Sequence, residues 1–173
     1  MASILTSLFG DRFGIDRFGN IVSKGGIVTG GGGAPLAGGS ARTLTADDFG
    51  KTILLDTLAG TTITLPAAIG SGGRYRFIVS VLATSVSHKI QVANASDTMI
   101  GGGVIADTDS SGAAYAFLAA STSDTITLNR STTGSVTVGE WIEIEDYAPN
   151  VWKVDFLLSG TGTPVSPFSA AVS

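Results

Sequence analysis

Hydrophobic and polar residues alternate along most of the chain between residues 43 and 158. The clearest stretch is "VWKVDFLL", in which Trp152, Val154, Phe156 and Leu158 share one face, opposite a lysine and an aspartate. The same period appears in "TTITLP", "RYRFIVSVL", "HKIQVA", "DTITLN" and "EWIEIED". A period of two is typical of strands with one buried face. The pattern therefore predicts an all-β domain.

Turn residues separate these stretches, as in "LAGT", "IGSGG", "STTGS" and "YAPN". Their positions predict roughly nine to eleven short strands, at the spacing of about 8–12 residues that is common in sandwiches and barrels. We therefore expect a β-sandwich or a jelly-roll-like domain. Helix is expected only as a single turn around "TADDFG".

The two ends of the chain lack this alternation, and they set the predicted boundaries. Residues 1–42 are interpreted as an N-terminal arm followed by a glycine-rich tether, because "SKGGIVTGGGGAPLAGGS" contains little that can form a core. Residues 43–160 are predicted to form the β-sandwich domain. Residues 161–173 are predicted to be an irregular tail, since prolines interrupt regular strand pairing there.

Composition supports an all-β fold and argues against several classes of function. Hydrophobic residues make up 43% and charged residues 14% of the chain, with 24 glycines and no cysteine. The ten lysines and arginines are scattered and the net charge is −4, so we expect no nucleic-acid partner and no membrane partner. The first residues lack a basic segment and a long apolar segment, so no signal peptide is expected. Folding in a cytoplasm without disulfides is the expectation.

The N-terminal arm contains the tetrapeptide Asp-Arg-Phe-Gly twice, within "SLFGDRFGIDRFGN". Its aromatic and charged residues, which we take as candidate anchors, are Phe9, Asp11, Arg12, Phe13, Asp16, Arg17 and Phe18. Aromatic and arginine side chains often dominate binding energy in interfaces. The hypothesis is that this arm grips another protein or a neighbouring subunit. The alternatives are a tail without a partner, or an extra strand on the chain's own domain.

Residues suited to catalysis or metal binding are few, and their settings favour structural roles. His88 is the only histidine and is interpreted as a loop or strand-start residue. Glu140, Glu143 and Glu145 resemble paired carboxylates, but the last two share a strand face that we expect to be solvated. No Gly-x-Ser-x-Gly motif frames a serine. We therefore predict no enzyme and no cofactor.

The stretch "ADTDSSG" is the best candidate for a metal site. Asp107 and Asp109 stand at alternate positions before a glycine, as calcium ligands often do. The acidic residue that would complete an EF-type loop is missing, because Leu118 stands at that position. A turn rich in side-chain hydrogen bonds explains the same residues. We therefore predict no metal, and leave a weak calcium site as the alternative.

Aromatic residues open a further possibility, because exposed rings can stack on sugars. Trp141 and Tyr147 are the candidates for exposed aromatics. Trp152 lies in phase with core positions and is expected to be buried. A glycan-binding or recognition module is accordingly the alternative function.

The run "TLTADDFGKTILLDTLAGTTITLPAAIGSGGRYRFIVSVL" resembles a block found in virion structural proteins of tailed bacteriophages. The later "TITLN", "GEWIEIED" and "NVWKVDFLLSG" resemble the matching end of such proteins, so the similarity spans about residues 43–160. The resemblance implies a capsid decoration, or cement, protein, or a related head or tail appendage. It further implies a homotrimer on the capsid surface of the virion, with the major capsid protein as its partner. A host-recognition or glycan-binding module of the phage tail is therefore the alternative function. The N-terminal repeat has no counterpart in that resemblance.

Overall fold

The structure, a computed structural model, describes residues 13–15, 21–23, 34–110 and 112–172. The chain divides into two compact units, Met1–Gly33 and Ala34–Ser173. In the first unit, β1 (Phe13–Ile15) and β2 (Ile21–Ser23) pair in antiparallel orientation, with Phe13 opposite Ser23. Short antiparallel pairs of this kind form locally, because only a few residues connect the two strands.

The regular structure of the second unit is almost entirely strand. Its strands are β3 (Leu36–Ala37), β4 (Ala41–Thr43), β5 (Thr52–Leu55), β6 (Thr62–Thr64), β7 (Arg74–Val79), β8 (His88–Gln91), β9 (Thr98–Asp107), β10 (Ala114–Leu118), β11 (Thr125–Leu128), β12 (Trp141–Ala148), β13 (Val151–Gly160) and β14 (Phe168–Ser169). A 3-10 helix, Ala46–Asp48, is the single helical turn of this unit's described residues. It lies within "TADDFG", as predicted, and the Asp48 carboxylate accepts the Thr45 N–H at 3.2 Å.

These strands form two mixed sheets that pack as a β-sandwich, which confirms the predicted fold class. The seven-stranded sheet has the order β10-β9-β13-β12-β7-β5-β3, and the five-stranded sheet has the order β14-β11-β8-β6-β4. Parallel pairs such as β9 with β13 lie beside antiparallel pairs such as β12 with β13. Mixed sheets of this kind need connections that cross between the layers.

The core lies between the two sheets and is built from the predicted alternation. In β13 every second residue from Trp152 to Leu158 is buried, and in β12 Ile142 and Ile144 are buried while the intervening side chains are partly exposed. Trp152 is 0% exposed, which confirms its predicted core position. Its ring lies 6.0 Å from that of Tyr75, measured between centroids.

Strand pairing extends beyond the sequence-based boundaries at both ends of the sandwich. The strands β3 and β4 lie in the stretch interpreted as a tether, and each pairs with a strand of a sheet. The strand β14 lies in the predicted irregular tail and pairs with β11. The Asp124 carboxylate also accepts the N–H groups of Ala171 and Val172. Backbone hydrogen bonds hold these segments where hydrophobic alternation is absent. Among the described residues, no helix is long and apolar enough to cross a membrane.

Candidate binding surface

The side of the seven-stranded sheet that faces away from the core carries an unbroken apolar row. Strand register aligns one residue from each strand across the sheet. The members of this apolar row are Ala37, Leu54, Ile78, Trp141, Leu157, Val104 and Ala116. Leu157, near the middle, is 46% exposed. We call this side of the sheet the outer face. Contiguous apolar surface of this kind commonly marks an interaction site.

Around Leu157, charged side chains flank the apolar row on one side. The two adjoining rows of the outer face contain Arg76, Glu143 and Asp155, and then Arg74, Glu145 and Lys153. Arg74 forms ion pairs with Glu145 at 2.9 Å and with Glu143 at 3.8 Å. These charges therefore largely compensate one another. Exposed pairs of this kind add little to stability, so they are free to contribute to binding specificity.

Beside Leu157, the other side of the apolar row has no charged side chain at the surface. Leu157 borders a shallow pocket lined by Thr137, Val138, Gly139 and Ser159, with Glu140 beneath them. Val138 is 65% exposed. The outer face is thus asymmetric, with a compensated charged flank and a small, neutral flank.

The two aromatic candidates lie on the same strand but cannot act as one platform. Trp141 is half-buried, and the Arg76 guanidinium lies 5.7 Å from its ring centroid. Tyr147 is 58% exposed. Six residues separate them on β12, which at about 3.3 Å per residue places them roughly 20 Å apart. One sugar ring cannot stack on both.

The arm residues proposed as anchors lie mostly outside the described residues. That group comprises Phe9, Asp11, Arg12, Asp16, Arg17 and Phe18. Phe13 begins β1, whose backbone pairs with β2. The hypothesis of an anchoring arm therefore stays a prediction.

A buried carboxylate, Asp146, organises the loop after β6. It accepts the backbone N–H groups of Ile69, Gly70 and Ser71 at 2.8–2.9 Å, and the Ser71 hydroxyl at 2.6 Å. Burial acts to raise the pKa of Asp146, but the hydrogen bonds from Ser71, Gly70 and Ile69 outweigh it and hold the pKa below its ordinary value. Asp146 is therefore a loop anchor in the ionised form.

Glu140 anchors a second loop in the same way, below the neutral flank of the outer face. It is 4% exposed, and it accepts the N–H groups of Ser135, Val136 and Thr137 at 2.7 Å. Burial raises the pKa of Glu140 against the opposing effect of those hydrogen bonds. Its oxygens are directed at backbone rather than at solvent, while Glu143 and Glu145 lie on the outer face as the alternation predicted.

The Asp107 and Asp109 pair forms a turn held by side-chain hydrogen bonds. The Asp107 carboxylate accepts the N–H groups of Asp109 and Ser110, and the Asp109 carboxylate accepts the N–H of Gly162. Hydrogen bonds from Asp109 and Ser110 lower the pKa of Asp107. In the described part of the chain, no group of three or more His, Cys, Asp or Glu residues is placed to hold a metal ion. The side-chain-bonded turn accounts for both aspartates.

His88 opens β8, as predicted, and is fully buried. Its Nδ1 accepts the N–H of Thr61 at 3.0 Å, so the hydrogen of the neutral ring lies on Nε2 and is donated to the Val81 carbonyl at 2.9 Å. Burial lowers the pKa of His88, although the Val81 contact and nearby Asp56 act in the opposite direction. Its role is to join the loop before β6 to the loop before β8.

We expect this single histidine to make stability depend on pH between about 7.5 and 5.5. A lowered pKa in the folded state means that stability is complete above the unfolded value of about 6.5 and falls as pH drops toward the folded value. Urea unfolding at pH about 7.5 and at pH about 5.5 measures this change in the free energy of unfolding. His88→Gln, which does not titrate there, should lose less stability between them than the natural protein. An equal loss in both proteins would show that His88 is not the titrating group.

Comparison of the chain with protein-family models and with curated proteins finds no match.

The sequence contained a partial signal for the apolar row. Three strands each have one apolar residue on the face that is otherwise charged, but a single strand does not show that these residues are neighbours. Ile78 follows Arg74 and Arg76 on its face, Trp141 precedes Glu143 and Glu145, and Leu157 follows Lys153 and Asp155. Each is an apolar residue on an otherwise charged face. Only the register between strands shows that these residues adjoin.

Proposed function

We propose that this protein is a non-enzymatic structural protein of a phage virion, binding the outside of the head as a decoration protein that stabilises the capsid. The observation that carries the proposal is the apolar row, which crosses the whole outer face from Ala37 to Ala116. The resemblance of residues 43–160 to phage virion proteins supplies the identity of the partner, the major capsid protein. In this proposal the protein is a homotrimer located on the virion surface after assembly in the host cytoplasm.

The shape of the outer face supports a macromolecular partner. Sites for small ligands are concave and enclose most of the ligand, whereas the apolar row lies across a sheet surface. Its compensated charges on one flank and neutral side chains on the other suit docking to a protein of matching polarity. Several copies on a repeating lattice would add avidity to contacts that are individually weak.

The hydrogen-bond partners of the buried polar side chains support the same proposal. Asp146, Glu140 and Asp124 accept backbone N–H groups, and His88 joins two loops through its ring nitrogens. These side chains stabilise loops at the ends of the sandwich. The side chains of the outer face, in contrast, anchor no loop and are available for binding.

The N-terminal arm enters the proposal as a second contact. Its aromatic and arginine residues, among them Phe9, Arg12 and Phe18, are the residue types that dominate interfaces. Deleting residues 2–20 should leave a folded sandwich that binds heads more weakly. Unchanged binding by the truncated protein would remove the arm from the proposal while leaving the outer face in it.

The experiment is co-sedimentation of the full chain with expanded phage heads that lack decoration, followed by cryo-electron microscopy of the particles. Leu157→Lys is expected to weaken binding at least about tenfold, or about 1.4 kcal/mol, by placing a charge in the apolar row. Leu58→Lys is the matched control, because Leu58 is 61% exposed but lies in the loop after β5. It should bind like the natural protein.

Regular density on the shell and selective loss with Leu157→Lys would support a decoration protein. Bare heads together with saturable binding to cell-surface glycans, reduced by Tyr147→Ala, would overturn the proposal in favour of the recognition module. Equal weakening by Leu58→Lys and Leu157→Lys would exclude the outer face as the contact surface.

A further inference from the structure

Among the described residues, the strand β10 forms one edge of the seven-stranded sheet and pairs only with β9. Its five residues are Ala-Tyr-Ala-Phe-Leu, and Ala114, Ala116 and Leu118 are exposed. Leu118 is 78% exposed. An edge of this kind presents unpaired backbone groups that can accept a further strand.

The hydrogen-bond pattern identifies which backbone groups are free. Asp107 N–H donates to the Ala113 carbonyl and Ala119 N–H donates to the Gly101 carbonyl, so the odd-numbered residues of this strand point their backbone groups toward β9. In an antiparallel pair the alternate residues point the other way. The N–H and C=O groups of Ala114, Ala116 and Leu118 therefore line the open edge.

The other three edges of the two sandwich sheets are protected in ways that β10 is not. The edge strands β3 and β14 are two residues long and directly follow Pro35 and Pro167, and β4 is three residues long and carries Arg42. Short length, proline and charge are the usual devices against unwanted strand pairing. From Gly112 to Ser123 the sequence contains no charge and no proline.

We propose that the β10 edges of two copies of this chain pair with each other in antiparallel orientation, centred on Ala116. Only residues whose backbone groups point outward can exchange hydrogen bonds, so Ala116 faces Ala116 of the other copy and Ala114 faces Leu118. The two seven-stranded sheets then become continuous across a two-fold axis. Such a contact is isologous, since the same patch serves both partners.

Several observations favour a second copy over another occupant. Because β10 is uncharged, two copies of it can pair without placing like charges opposite each other. In the stated register Tyr115 lies opposite Phe117 of the other copy, and aromatic pairs are among the favourable cross-strand neighbours. Tyr115 is 38% exposed although it lies on the core side of β10. Ala116 also ends the apolar row, so pairing joins the apolar rows of the two copies.

The strand is firmly placed in each copy, as a docking edge requires. A side chain at Gly102 of β9 would collide with the Phe117 carbonyl, so glycine is needed there for the close approach of the two strands. A contact in which only five residues of each copy pair buries less accessible surface than the roughly 1,200 Å² of a stable interface. The contact is accordingly concentration-dependent in solution and would link neighbouring oligomers.

Single cysteines test the register directly, because the chain contains no other cysteine. In Ala116→Cys the two thiols face each other across the pair, with Cα atoms about 5.5 Å apart. In Ala114→Cys, a matched exposed alanine of the same strand, the two Cα atoms are about 14 Å apart at roughly 3.4 Å per residue. The full-length variants are treated with dibromobimane, a short thiol cross-linker, over a range of protein concentrations.

We expect Ala116→Cys to give a covalent dimer on denaturing gels at least tenfold faster than Ala114→Cys, with a rate that increases with concentration. Equal rates, or no dimer from either variant at any concentration, would overturn the proposal. Thermal melts confirm that both variants fold. As a second measurement, Ala116→Pro, which removes an outward N–H, should abolish the concentration-dependent association of oligomers with one another in analytical ultracentrifugation. Unchanged association would count against the edge. Neither readout depends on head binding.

Discussion

Replacing Trp152 with alanine is expected to lower the free energy of unfolding by about 3–5 kcal/mol, the range for removal of a buried Trp. The side chain is 0% exposed and packs beside Tyr75 in the centre of the sandwich. Its Nε1–H has no hydrogen-bond partner among the described residues. Removing that unpaired donor relieves a cost of about 1–3 kcal/mol, which shifts the expected loss toward the lower end of the range.

Two further substitutions make this expectation specific. Trp152→Phe retains much of the apolar volume and removes the unpaired donor, so it should lose far less stability than Trp152→Ala. Trp141→Ala is the control, because Trp141 is half-buried on the outer face, and should lose about 1 kcal/mol. Urea unfolding of the three variants gives the comparison. Similar losses for Trp141→Ala and Trp152→Ala would contradict the assignment of one tryptophan to the core.

The difference between the two tryptophans could be predicted from sequence, because burial in a strand follows a local period. Ile142 and Ile144 in β12 and Val154 and Phe156 in β13 fix which alternate positions face the core. Trp152 is in phase with its buried neighbours and Trp141 is out of phase. The all-β class and the sandwich follow from repetition of that local signal.

Pairing between strands could not be predicted in the same way. The strand β9 contains Gly101, Gly102 and Gly103, which interrupt any alternation. Side chains at Gly101 and Gly103 would collide with the carbonyls of Val154 and Phe156, so the glycines permit the close approach of β13. That requirement arises from a strand distant in sequence. The apolar row and the open β10 edge depend on the same long-range register and appear only in the folded chain.

The role of Asp146 could be predicted in part, unlike strand pairing, which could not be predicted, and unlike the burial of Trp152, which could. It is in phase with Ile142 and Ile144, so the alternation itself places it on the buried face, although aspartate is rarely buried without a partner. Its partners, the backbone N–H groups of Ile69, Gly70 and Ser71, come from a loop more than seventy residues earlier. Sequence could therefore indicate a buried carboxylate but not the loop that it holds.

Replacing Asp146 with alanine is expected to lower the free energy of unfolding by about 2–3 kcal/mol at pH about 7. Each donor left unpaired in a buried site costs about 1–3 kcal/mol, but Ile69, Gly70 and Ser71 are exposed enough for water to replace part of what is lost. Asp155→Ala, at an exposed position of the outer face, is the control and should change stability by less than about 0.5 kcal/mol.

The natural protein and Asp146→Ala differ in their free energy of unfolding, and the pH dependence of this difference separates the effect of the Asp146 charge from that of its packing. Its pKa is lowered in the folded state, so its contribution is complete above the unfolded value of about 3.9 and is lost as pH falls through the folded value. The gap in unfolding free energy between the natural protein and Asp146→Ala should therefore narrow as acid is added. Urea unfolding at several pH values between about 7 and 3 measures it. A gap that stays constant would mean that the neutral carboxyl holds the loop equally well, and that the ionised form is not the anchor.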